Sequence, residues 1–448
     1  MFTVNELIQA GQGRLIQAGT AKKVSGIALD SRTIRPGEAF LALKGENFDG
    51  HDFISQAVRK GCRCIIRQRK SCAVASGITV IEVADSIRAL GAIARFHRRR
   101  FSIPVIAVTG STGKTTTKDM LAWVLSAGFS VLKTEGTKNN HIGLPMALLG
   151  LRRSHDMAVV ELGTNHFGEI RYLAGIAEAQ VGIITNIGQS HLEHFGSERG
   201  VLKEKYSLIE QLKPPRIAIV NNDDRLLRAK VLARKPREFT LGFGCLRASD
   251  FSASNLALRK ERLSFAINGY ALTLNTIGAH NIYNALAAIA CARVFGISYK
   301  KIAERIKVFT FPEGRLTVRT AGGIRFIDDT YNASPASLRQ ALYALEDYQS
   351  SGAKIAVIGD MLELGAHQER FHADAGRHIA RFCDTFITVG KLARTAAEAA
   401  RRSGFDTRKL FSCDSSEEAR TLLRRLGVRP QDVILVKGSR LMHMEKIF

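Results

Sequence analysis

Apolar runs of strand length alternate with amphipathic helical stretches from Ile103 onward. The runs IPVIAVT, DMAVVEL, VGIITNI and RIAIVN are almost continuously apolar, which is typical of strands buried on both faces of a parallel sheet. Because helical stretches separate most of them, the pattern predicts a mostly parallel sheet with helices on both faces. Positions from about 251 to 277 alternate instead and predict a hairpin, and a helix is predicted to start at about Asn281.

Two further α/β units are predicted, one before and one after this sheet in the chain. In the first, VSGIALDSRTIRPGEAFLALKG alternates like strands around a turn at residues 35–37, a helix covers about 52–60, CRCII is a short strand, and a basic helix covers about 86–100. The last unit begins near Phe311 with the strands IRFIDD, KIAVIG, TFITV and DVILVKG. The predicted fold class is therefore α/β with three domains: a small N-terminal domain (1–83), a central domain with a mostly parallel sheet (84–310) and a C-terminal Rossmann-like domain (311–448).

Composition is typical of a globular protein. Of the 448 residues, 45% are hydrophobic and 24% charged, which excludes wholesale disorder. The seven cysteines are scattered and form no C-x-x-C pair, which argues against a disulfide framework or a zinc site and for a reducing compartment. Glu6 stands where a signal peptide would be basic or apolar, and no stretch reaches the ~20 apolar residues of a membrane span. We therefore expect a soluble, cytoplasmic protein.

The charge balance is unusually basic. The chain has 65 Lys and Arg against 41 Asp and Glu, a net charge of +24. Such a balance attracts nucleic acid, anionic membrane surfaces or anionic substrates. The local clusters at 59–70, 98–100 and 225–237 are not interleaved with aromatic residues as in a single-strand binding platform, so most of this charge is expected to be solvated surface.

The strongest chemical signal is VIAVTGSTGKTTTKDM, in which a buried strand, a glycine-rich turn and a helix follow one another. Backbone N–H groups of the turn and the helix N-terminus would cradle phosphates, Lys114 would reach the β- and γ-phosphates, and the Thr115 hydroxyl would hold Mg²⁺. Val108 occupies the first glycine position of G-x-x-x-x-G-K-[ST], and Gly110 takes the tight turn instead. The alternative is an ordinary βα loop; the strand–turn–helix context favours nucleotide binding by Gly110, Ser111, Thr112, Gly113, Lys114, Thr115 and Thr116.

Polar residues also follow the next strands. Glu161 closes AVVEL, His191 lies just after TNIGQS, and Lys205 lies in the helical run KEKYSLIEQL. Because strands of an open α/β sheet point their carboxyl ends at one crevice, Glu161 and His191 could meet the phosphates and their metal. The alternatives for the three residues are a helix cap or ion-pair partner, a polar loop residue and a solvated lysine, and spacing alone does not decide between them.

At these residues the sequence resembles the Mur ligases, ATP-dependent amide-forming ligases of peptidoglycan assembly. TGSTGKTT is similar to that family's variant P-loop, and NNHIGLP, VVELGTNHFGEI, SHLEHFGS, GAHNIYNALAA, FPEGR, DDTYNASP, GDMLELG and KGSR follow in the family's order over nearly the whole chain. The segments ELGTNHFGEI, DDTYNASP and GDMLELG are most similar to the branch that adds a dipeptide. The resemblance implies ATP and two Mg²⁺ ions as cofactors, and UDP-N-acetylmuramoyl-tripeptide and D-alanyl-D-alanine as substrates; we expect a monomer without nucleic-acid or integral membrane association.

The resemblance also implies a role for each motif residue. Lys114 would contact the ATP phosphates, Thr115 and Glu161 would serve one Mg²⁺, and His191 would serve a second, an unusual ligand because Mg²⁺ prefers oxygen. Lys205 matches a lysine that is carbamylated in the family, and as a carbamate it would bridge the metals. Three residues are expected to contact ATP: Asn284 its adenine, Arg315 its phosphates and Asp329 its ribose. The UDP end of the acceptor is expected to bind at Ser31, Arg32, Lys44 and Gly45. Other parts of the substrates are expected to bind at Asn139, Asn140, Asn332 and Ser334.

Some points stay open at this level. Asn332 and Ser334 are equally well explained as turn formers before Pro335, and Thr137 stands where the family often has Asn. The enzyme alternative is a sister ligase that adds a single amino acid, meso-diaminopimelate or lysine, although DDTYNASP argues against it. The alternative from another class is a P-loop nucleic-acid-binding protein, suggested by the charge, which leaves Glu161, His191 and Lys205 unexplained.

Overall fold

The structure is a computed structural model that describes residues 1–45, 48–68, 74–233, 239–259 and 261–448. These residues fall into two compact units: Met1–Ala107 with Ser130–Thr164 and Glu169–Gln180, and Val108–Phe129 with Asn165–Gly168 and Val181–Phe448. The predicted α/β class is confirmed, since parallel sheets alternate with helices. The predicted domain boundaries at 83 and 310 remain predictions. Cys72 and parts of the basic clusters at 59–70 and 225–237 lie outside the described residues.

The N-terminal strands form a five-stranded sheet and a separate two-stranded pair. The strands are β1 (Phe2–Thr3), β2 (Arg14–Gln17), β3 (Lys23–Val24), β4 (Ile27–Ala28), β5 (Ala39–Leu41), β6 (Cys64–Gln68) and β7 (Thr79–Val83). The larger sheet has the order β2-β7-β6-β5-β4, in which only β2 is antiparallel, and β1 pairs with β3. The helices are α1 (Val4–Gly11), α2 (Ile54–Arg59) and α3 (Ser86–Arg98), and a 3-10 helix (Gly50–Phe53) precedes α2.

In this region the strands around a turn at 35–37 are confirmed, and the helix predicted from 52 to 60 needs correction. The turn at 35–37 is present, because the Glu38 N–H donates to the Arg35 carbonyl over 3.1 Å. However, the strands β4 and β5 that flank it pair in parallel, since the connection from 29 to 38 returns the chain to the same end of the sheet. The helix predicted from 52 to 60 is divided, because Asp49 caps a 3-10 turn by accepting from the His51 N–H before α2 begins.

The four apolar runs of the middle region are all strands of one seven-stranded sheet. Its order is β14-β13-β12-β11-β8-β10-β9, where the strands are β8 (Val105–Thr109), β9 (Val131–Lys133), β10 (Met157–Glu161), β11 (Val181–Ile184), β12 (Ile217–Asn221), β13 (Phe239–Gly244) and β14 (Phe251–Ser252). The runs predicted as strands are β8, β10, β11 and β12, which are almost wholly buried. The helices are α4 (Lys114–Leu125), α5 (Gly143–Leu149), α6 (Glu169–Ala177), α7 (Leu192–Phe195), α8 (Glu198–Glu210) and α9 (Arg225–Leu232).

The alternating segment, predicted as a hairpin, is a three-stranded antiparallel sheet, and its first two residues, 251 and 252, belong to β14 instead. It consists of β15 (Ser254–Arg259), β16 (Arg262–Ile267) and β17 (Tyr270–Leu274), in that order. Two helices follow, α10 (Asn281–Val294), which begins at the predicted residue, and α11 (Tyr299–Lys307). Most of α10 is buried, which accounts for its continuous apolar sequence.

The C-terminal sheet has the order β18-β19-β23-β20-β21-β22, parallel except at β18. Its strands are β18 (Thr317–Ala321), β19 (Ile324–Asp328), β20 (Lys354–Gly359), β21 (Thr385–Val389), β22 (Leu410–Cys413) and β23 (Val433–Lys437), and its helices are α12 (Pro335–Asp347), α13 (Gln368–Ile379), α14 (Ala393–Arg402) and α15 (Ser416–Arg425). Along β20, Ile355 and Val357 pack in one apolar cluster, and Ala356 and Ile358 pack in another. Since alternate strand residues face opposite sides, both faces of the sheet are covered.

Short 3-10 helices complete this region, at Gly365–His367, Thr407–Lys409, Arg440–Met442 and Met444–Ile447. No helix in the described part of the chain combines the length and the apolar character that crossing a membrane requires.

A partly buried carboxylate, Glu178, stabilises the first unit and allows a stability test. Glu178 accepts hydrogen bonds from Arg95 and Arg99, at 2.8 and 2.5 Å to Oε1. Burial alone would raise the pKa of Glu178, but the bonds from Arg99 and Arg95 outweigh it and leave the pKa below its ordinary value. The folded protein therefore favours the charged form of Glu178. The resulting contribution to the free energy of unfolding is fully present above the ordinary pKa of a glutamate, and it is lost as the pH falls through the lowered pKa of Glu178 in the folded protein.

We expect Glu178→Gln to cost about 1 kcal/mol at pH 7, once the exposure of both arginines is taken into account. In thermal unfolding this lowers the midpoint by roughly 2–4 °C, and the difference from wild type shrinks toward pH 3. Glu417→Gln is the control, because Glu417 pairs with Lys446 on the open surface and should not change the midpoint measurably. If the difference in unfolding midpoint between wild type and Glu178→Gln did not change with pH, the stabilisation could not come from the charged form of Glu178.

Candidate active site

The glycine-rich loop joins β8 to α4 and can be built only with glycine at two positions. Gly110 and Gly113 have positive φ, 152° and 78°. A Cβ at Gly110 would lie 1.9 Å from Thr185 Oγ1, and one at Gly113 would lie 2.2 Å from Asn284 Oδ1. The backbone therefore approaches its neighbours too closely for any side chain, and α4 begins directly afterwards at Lys114. This strand–turn–helix arrangement suits phosphate binding.

The loop is fixed from the side by the segment after β11. The Ser111 and Thr112 N–H groups donate to the Asn186 carbonyl and Oδ1, both at 3.0 Å. The Ser111 hydroxyl donates to the Gly188 carbonyl over 3.1 Å and accepts from the Gly188 N–H over 2.9 Å. The sequence analysis missed Asn186 and Gly188 as supports of the loop. The available signal was their position in TNIGQS, directly after a buried strand.

The loop's lysine and threonine both have partners in the second unit, and their contacts with phosphate and Mg²⁺ stay predictions. Lys114 Nζ donates to the Gly110 carbonyl over 2.8 Å, so its side chain lies back along the loop. Thr115 Oγ1 accepts from Arg315 Nη2 over 3.4 Å, and the Arg315 guanidinium lies over the Tyr331 ring, 3.8 Å from its centroid. Arg315, expected on phosphate, is thus brought to the loop by a cation–π contact and a hydrogen bond.

Asn284 is packed against the start of α4, close to Gly113 and Thr117. It is buried, its Oδ1 accepts from the Thr117 hydroxyl over 3.2 Å, and its Nδ2 donates to Asn281 Oδ1 over 2.9 Å. Thr116, also expected at the nucleotide, is buried in the first turn of α4. The contact between Asn284 and adenine stays a prediction, and the observed function of its amide is to hold α4.

Lys205 is fully buried on α8, which is rare for a lysine without a counter-ion. Burial lowers the pKa of its ammonium well below the ordinary value, the charge of Lys114 lowers it further, and Glu204 opposes both. Within the described ranges no carboxylate lies at ion-pair distance from Lys205 Nζ. The side chain is thus driven toward the neutral amine, which is nucleophilic.

His191 precedes α7 and contacts a residue far away in the sequence. Its Nδ1 lies 2.6 Å from Glu363 Oε2. The close His191 side chain lowers the pKa of Glu363, although partial burial opposes this shift. The sequence analysis did not single out Glu363, although it belongs to GDMLELG.

Asp329 takes part in a buried ion pair at the end of β19. Its Oδ2 accepts from Lys437 Nζ over 2.5 Å and its Oδ1 from the Leu316 N–H over 3.1 Å. Lys437 Nζ also donates to the Asn332 carbonyl over 2.9 Å. Burial lowers the pKa of Lys437, which Asp329 opposes. This pair fixes the loop after β19, and the expected ribose contact of Asp329 stays a prediction.

The two donor-site candidates in that loop both have local partners. Ser334 caps α12, since its hydroxyl accepts from the Ser337 N–H over 3.3 Å in a capping box. Asn332 Oδ1 accepts from the N–H groups of Ala333 and Arg440. The turn-former alternative is thus sufficient for Ser334, and a donor contact by either residue stays a prediction.

Of the two carboxylate oxygens of Glu161, in the first unit, one accepts a hydrogen bond and the other, called the open oxygen below, does not in the described part of the chain. Glu161 is buried, its N–H donates to Thr134 Oγ1 over 3.1 Å, and its Oε1 accepts from Asn139 Nδ2 over 2.6 Å. Oε2 is buried without a hydrogen-bond partner among the described residues. A buried carboxylate oxygen of this kind fits a cation. Asn140 instead starts α5, where its Oδ1 accepts from the Ile142 and Gly143 N–H groups.

The residues expected at the UDP end also have local partners. Ser31 Oγ donates to Gln56 Oε1 over 2.6 Å, and exposed Arg32 pairs with Asp30 over 2.8 Å. Lys44 forms a β-bridge with Asp49, and the Gly45 N–H donates to the Phe48 carbonyl. A contact of these residues with UDP stays a prediction.

A set of three or more His, Cys, Asp or Glu side chains spaced to hold a metal ion does not occur in the described ranges. An ion near the glycine-rich loop would therefore need additional oxygen ligands, from a bound phosphate chain or from a carboxylated Lys205. Within the second unit, the buried Lys205 fits such a role; within the first unit, the open Glu161 oxygen separately fits a cation.

Comparison with known proteins agrees with this arrangement. The sequence models of the "Mur ligase family, catalytic domain", the "Mur ligase middle domain" and the "Mur ligase, glutamate ligase domain" match residues 23–98, 108–292 and 314–440. The UDP-N-acetylmuramoyl-tripeptide–D-alanyl-D-alanine ligase of Bacillus subtilis is 34% identical, over 99% of this chain and 97% of its own. The crystal structure of MurF from Acinetobacter baumannii is similar with a TM-score of 0.91, 36% identity and coverage of 100% and 97%. MurF ligase from Thermotoga maritima, solved with ADP, has a TM-score of 0.83, 30% identity and coverage of 94% and 96%.

The close approach at Gly113 allows a test of the loop. Gly113→Ala would place Cβ against Asn284 and displace the loop, and a ~1 Å displacement at a catalytic site costs up to about 100-fold. We expect kcat/KM for ATP to fall at least ~10-fold. Gly404→Ala is the control, since Gly404 also has positive φ, 87°, but an added Cβ there meets nothing within 4 Å. If both substitutions changed kcat/KM equally, the close packing at Gly113 would not be what the use of ATP depends on.

Proposed function

The chain belongs to the Mur ligase family, and we propose that it joins D-alanyl-D-alanine to UDP-N-acetylmuramoyl-tripeptide with hydrolysis of ATP to ADP and phosphate. The observation that carries this proposal is a match to dipeptide-adding ligases along 99% of the chain, with 97% of the relative covered. The tight geometry of the glycine-rich loop in this chain supports the proposal, because such a loop before a helix suits phosphate binding. A cytoplasmic location and a monomeric state remain predictions.

The chemistry explains why a ligase needs a phosphate-binding loop. A carboxylate is a poor electrophile because its leaving group would be oxide. When a carboxylate oxygen attacks the γ-phosphorus of ATP, ADP leaves and an acyl phosphate forms. The dipeptide amine then attacks the acyl carbon, loses a proton and expels phosphate, which retains the former carboxylate oxygen. Lys114 and Arg315 are proposed to neutralise the transferring phosphoryl group, supported by the contact of Arg315 with Thr115.

Two Mg²⁺ ions are part of this proposal, since divalent ions neutralise the charge that develops on a transferring phosphoryl group. Thr115, His191 and Lys205 would hold ions in one unit, and the open oxygen of Glu161 would do so in the other. Lys205 would contribute as a carbamate: the neutral amine attacks carbon dioxide, an N–C bond forms and a proton is released. The complete burial of Lys205 and its lowered pKa support this step, because an ammonium cannot react in this way.

The sister-ligase alternative, addition of a single amino acid to the muramoyl dipeptide, receives no support from the relatives. Each of the curated relatives compared carries the dipeptide-adding name. The nucleic-acid alternative rests on charge alone. Strongly anionic substrates, ATP and a UDP-linked peptide, give a sufficient reason for basic patches near the site.

The donor should be D-alanyl-D-alanine rather than a single amino acid. A site shaped for the longer zwitterion leaves the partner of its carboxylate unpaired when D-alanine binds, which costs ~1–3 kcal/mol. We expect kcat/KM, measured by ADP release, to be at least ~10- to 100-fold higher for the dipeptide than for D-Ala, L-Lys or meso-diaminopimelate. Both UDP-muramoyl dipeptide and tripeptide are tested as acceptors. If a single diamino acid on the dipeptide acceptor is the best pair, the sister-ligase function replaces this one.

Lys205→Ala should nearly abolish ligation, and acetate or formate should partly restore it, because the missing group is an anion. Lys203→Ala is the matched control, an exposed lysine on the same helix, and should retain activity. Restored turnover at millimolar carboxylate supports the carbamate. No rescue at any carboxylate concentration, with an unmodified lysine in active enzyme, would contradict it.

A further inference from the structure

A cleft of about 720 Å³ lies in the second unit, between the three-stranded sheet and the first strands of the C-terminal sheet. Its lining includes Arg262 of β16, residues 275–277 after β17, residues 308–311 after α11, and part of β18. Its volume is within the range of small-molecule sites, ~300–1,000 Å³. The described residues of the lining include neither Asn332 nor Ser334, nor any residue of the glycine-rich loop. The cleft is therefore separate from the site described above.

Hydrogen bonds hold the walls of this cleft. The Tyr348 hydroxyl, directly after α12, donates to the carboxylate of Glu261, which precedes β16. In another part of the wall, the Leu316 N–H donates to Asp329 Oδ1 over 3.1 Å, although Leu316 has a φ of 55°, in the left-handed region. Non-glycine residues keep such a conformation where their surroundings impose it, and they are frequent at ligand sites. Walls that are fixed in advance lower the conformational cost of binding a ligand.

Part of the lining is apolar. The rings of Phe309 and Phe311 make a T-shaped contact with their centroids 5.1 Å apart, and Val308, next in the chain, is 60% exposed. Small-molecule sites are lined mainly by apolar and aromatic side chains, and a few polar groups fix the orientation of the ligand. An apolar group of a ligand would therefore be covered at Val308 and Phe309.

The charged groups of the cleft indicate what kind of ligand would fit. Arg319 and Asp328 pair with each other, with 3.4 Å between Nη1 and Oδ2, and Glu261 accepts the hydrogen bond described above. Arg262 and Glu313 also line the cleft, both are exposed, and neither side chain has a hydrogen-bond or ion-pair partner among the described residues. A single exposed charge is normally solvated, but here two opposite charges without partners line one partly apolar cleft.

We propose that this cleft binds a small zwitterion with an apolar side chain, that is, a free amino acid or a short peptide. Its carboxylate would accept hydrogen bonds from the Arg262 guanidinium, and its ammonium would donate to Glu313. Its apolar side chain would pack at Val308 and Phe309. A ligand with only one of the two charges would form only one of the two ion pairs and would bind more weakly. The inference goes beyond the proposed function, because it needs neither ATP nor the muramoyl acceptor.

The first experiment compares three ligands that differ in charge. The amino acid 4-fluoro-L-phenylalanine carries both charges, its N-acetyl derivative lacks the ammonium, and its amide lacks the carboxylate. Each ligand is titrated with the whole chain, without nucleotide or acceptor, and binding is followed by the ¹⁹F signal. We expect a Kd of about 1 mM for the amino acid, typical of a ligand of this size, and at least ~3-fold weaker binding of either derivative.

The second experiment assigns each charge to one residue. In Arg262→Gln the amino acid should bind no more tightly than its amide, and in Glu313→Gln no more tightly than its N-acetyl derivative. The matched controls are Arg259→Gln and Glu304→Gln. Arg259 is paired with Arg262 across the hairpin, Glu304 is exposed on α11, and neither lines the cleft. Both controls should retain the preference for the amino acid, and all four variants should retain the unfolding midpoint of wild type.

The inference is overturned if 4-fluoro-L-phenylalanine shows no saturable binding up to ~10 mM, well above the expected Kd. Equal affinity of the three ligands in wild type would also overturn it, and so would a preference for the amino acid that survives both Arg262→Gln and Glu313→Gln. If the control variants lost this preference as fully as the cleft variants, the ligand would not be held by Arg262 and Glu313.

Discussion

The close packing of the glycine-rich loop against its neighbours is the constraint on which the rest of the site depends. Gly110 and Gly113 have no room for a Cβ against Thr185 and Asn284, so the loop has one shape. In that shape the Ser111 and Thr112 N–H groups are held by Asn186, α4 begins directly after the loop, and Arg315 reaches Thr115. A loop whose backbone is fixed in advance loses little conformational freedom when a ligand binds, and fixed donors of this kind are an important source of electrostatic catalysis.

Two of the fully buried lysines in the described ranges, Lys437 and Lys205, show how different surroundings change the chemistry of one residue type. Lys437 pairs with Asp329 and fixes the loop after β19, so its charge is compensated. Burial and the charge of Lys114 both lower the pKa of Lys205, and only Glu204 acts to raise it. The first is a structural cation, and the second is driven toward a neutral amine that can be carboxylated. The excess of basic residues in the composition conceals this difference, which only burial and partners reveal.

Much of this architecture could be predicted from the sequence, because local patterns of apolar residues and glycines determine these elements. The buried strands β8, β10, β11 and β12 are continuous apolar runs, and the loop before α4 is marked by its glycines. The parallel pairing of β4 and β5 could not be predicted, because pairing direction depends on where a connection returns in space. The strands β9, β18 and β22 are short or partly exposed and lack a strong pattern. Glu363 was missed because its partner His191 is 172 positions earlier in the chain.

The central claim is that a carboxylate is activated by phosphoryl transfer at this loop before the amine attacks. The most direct test uses UDP-N-acetylmuramoyl-tripeptide with ¹⁸O in the carboxylate that reacts, ATP without label, and D-alanyl-D-alanine. If an acyl phosphate forms, one labelled oxygen leaves with the phosphate, and mass spectrometry finds one ¹⁸O in each inorganic phosphate released. Unlabelled phosphate, formed together with ADP and the amide product, would contradict the account.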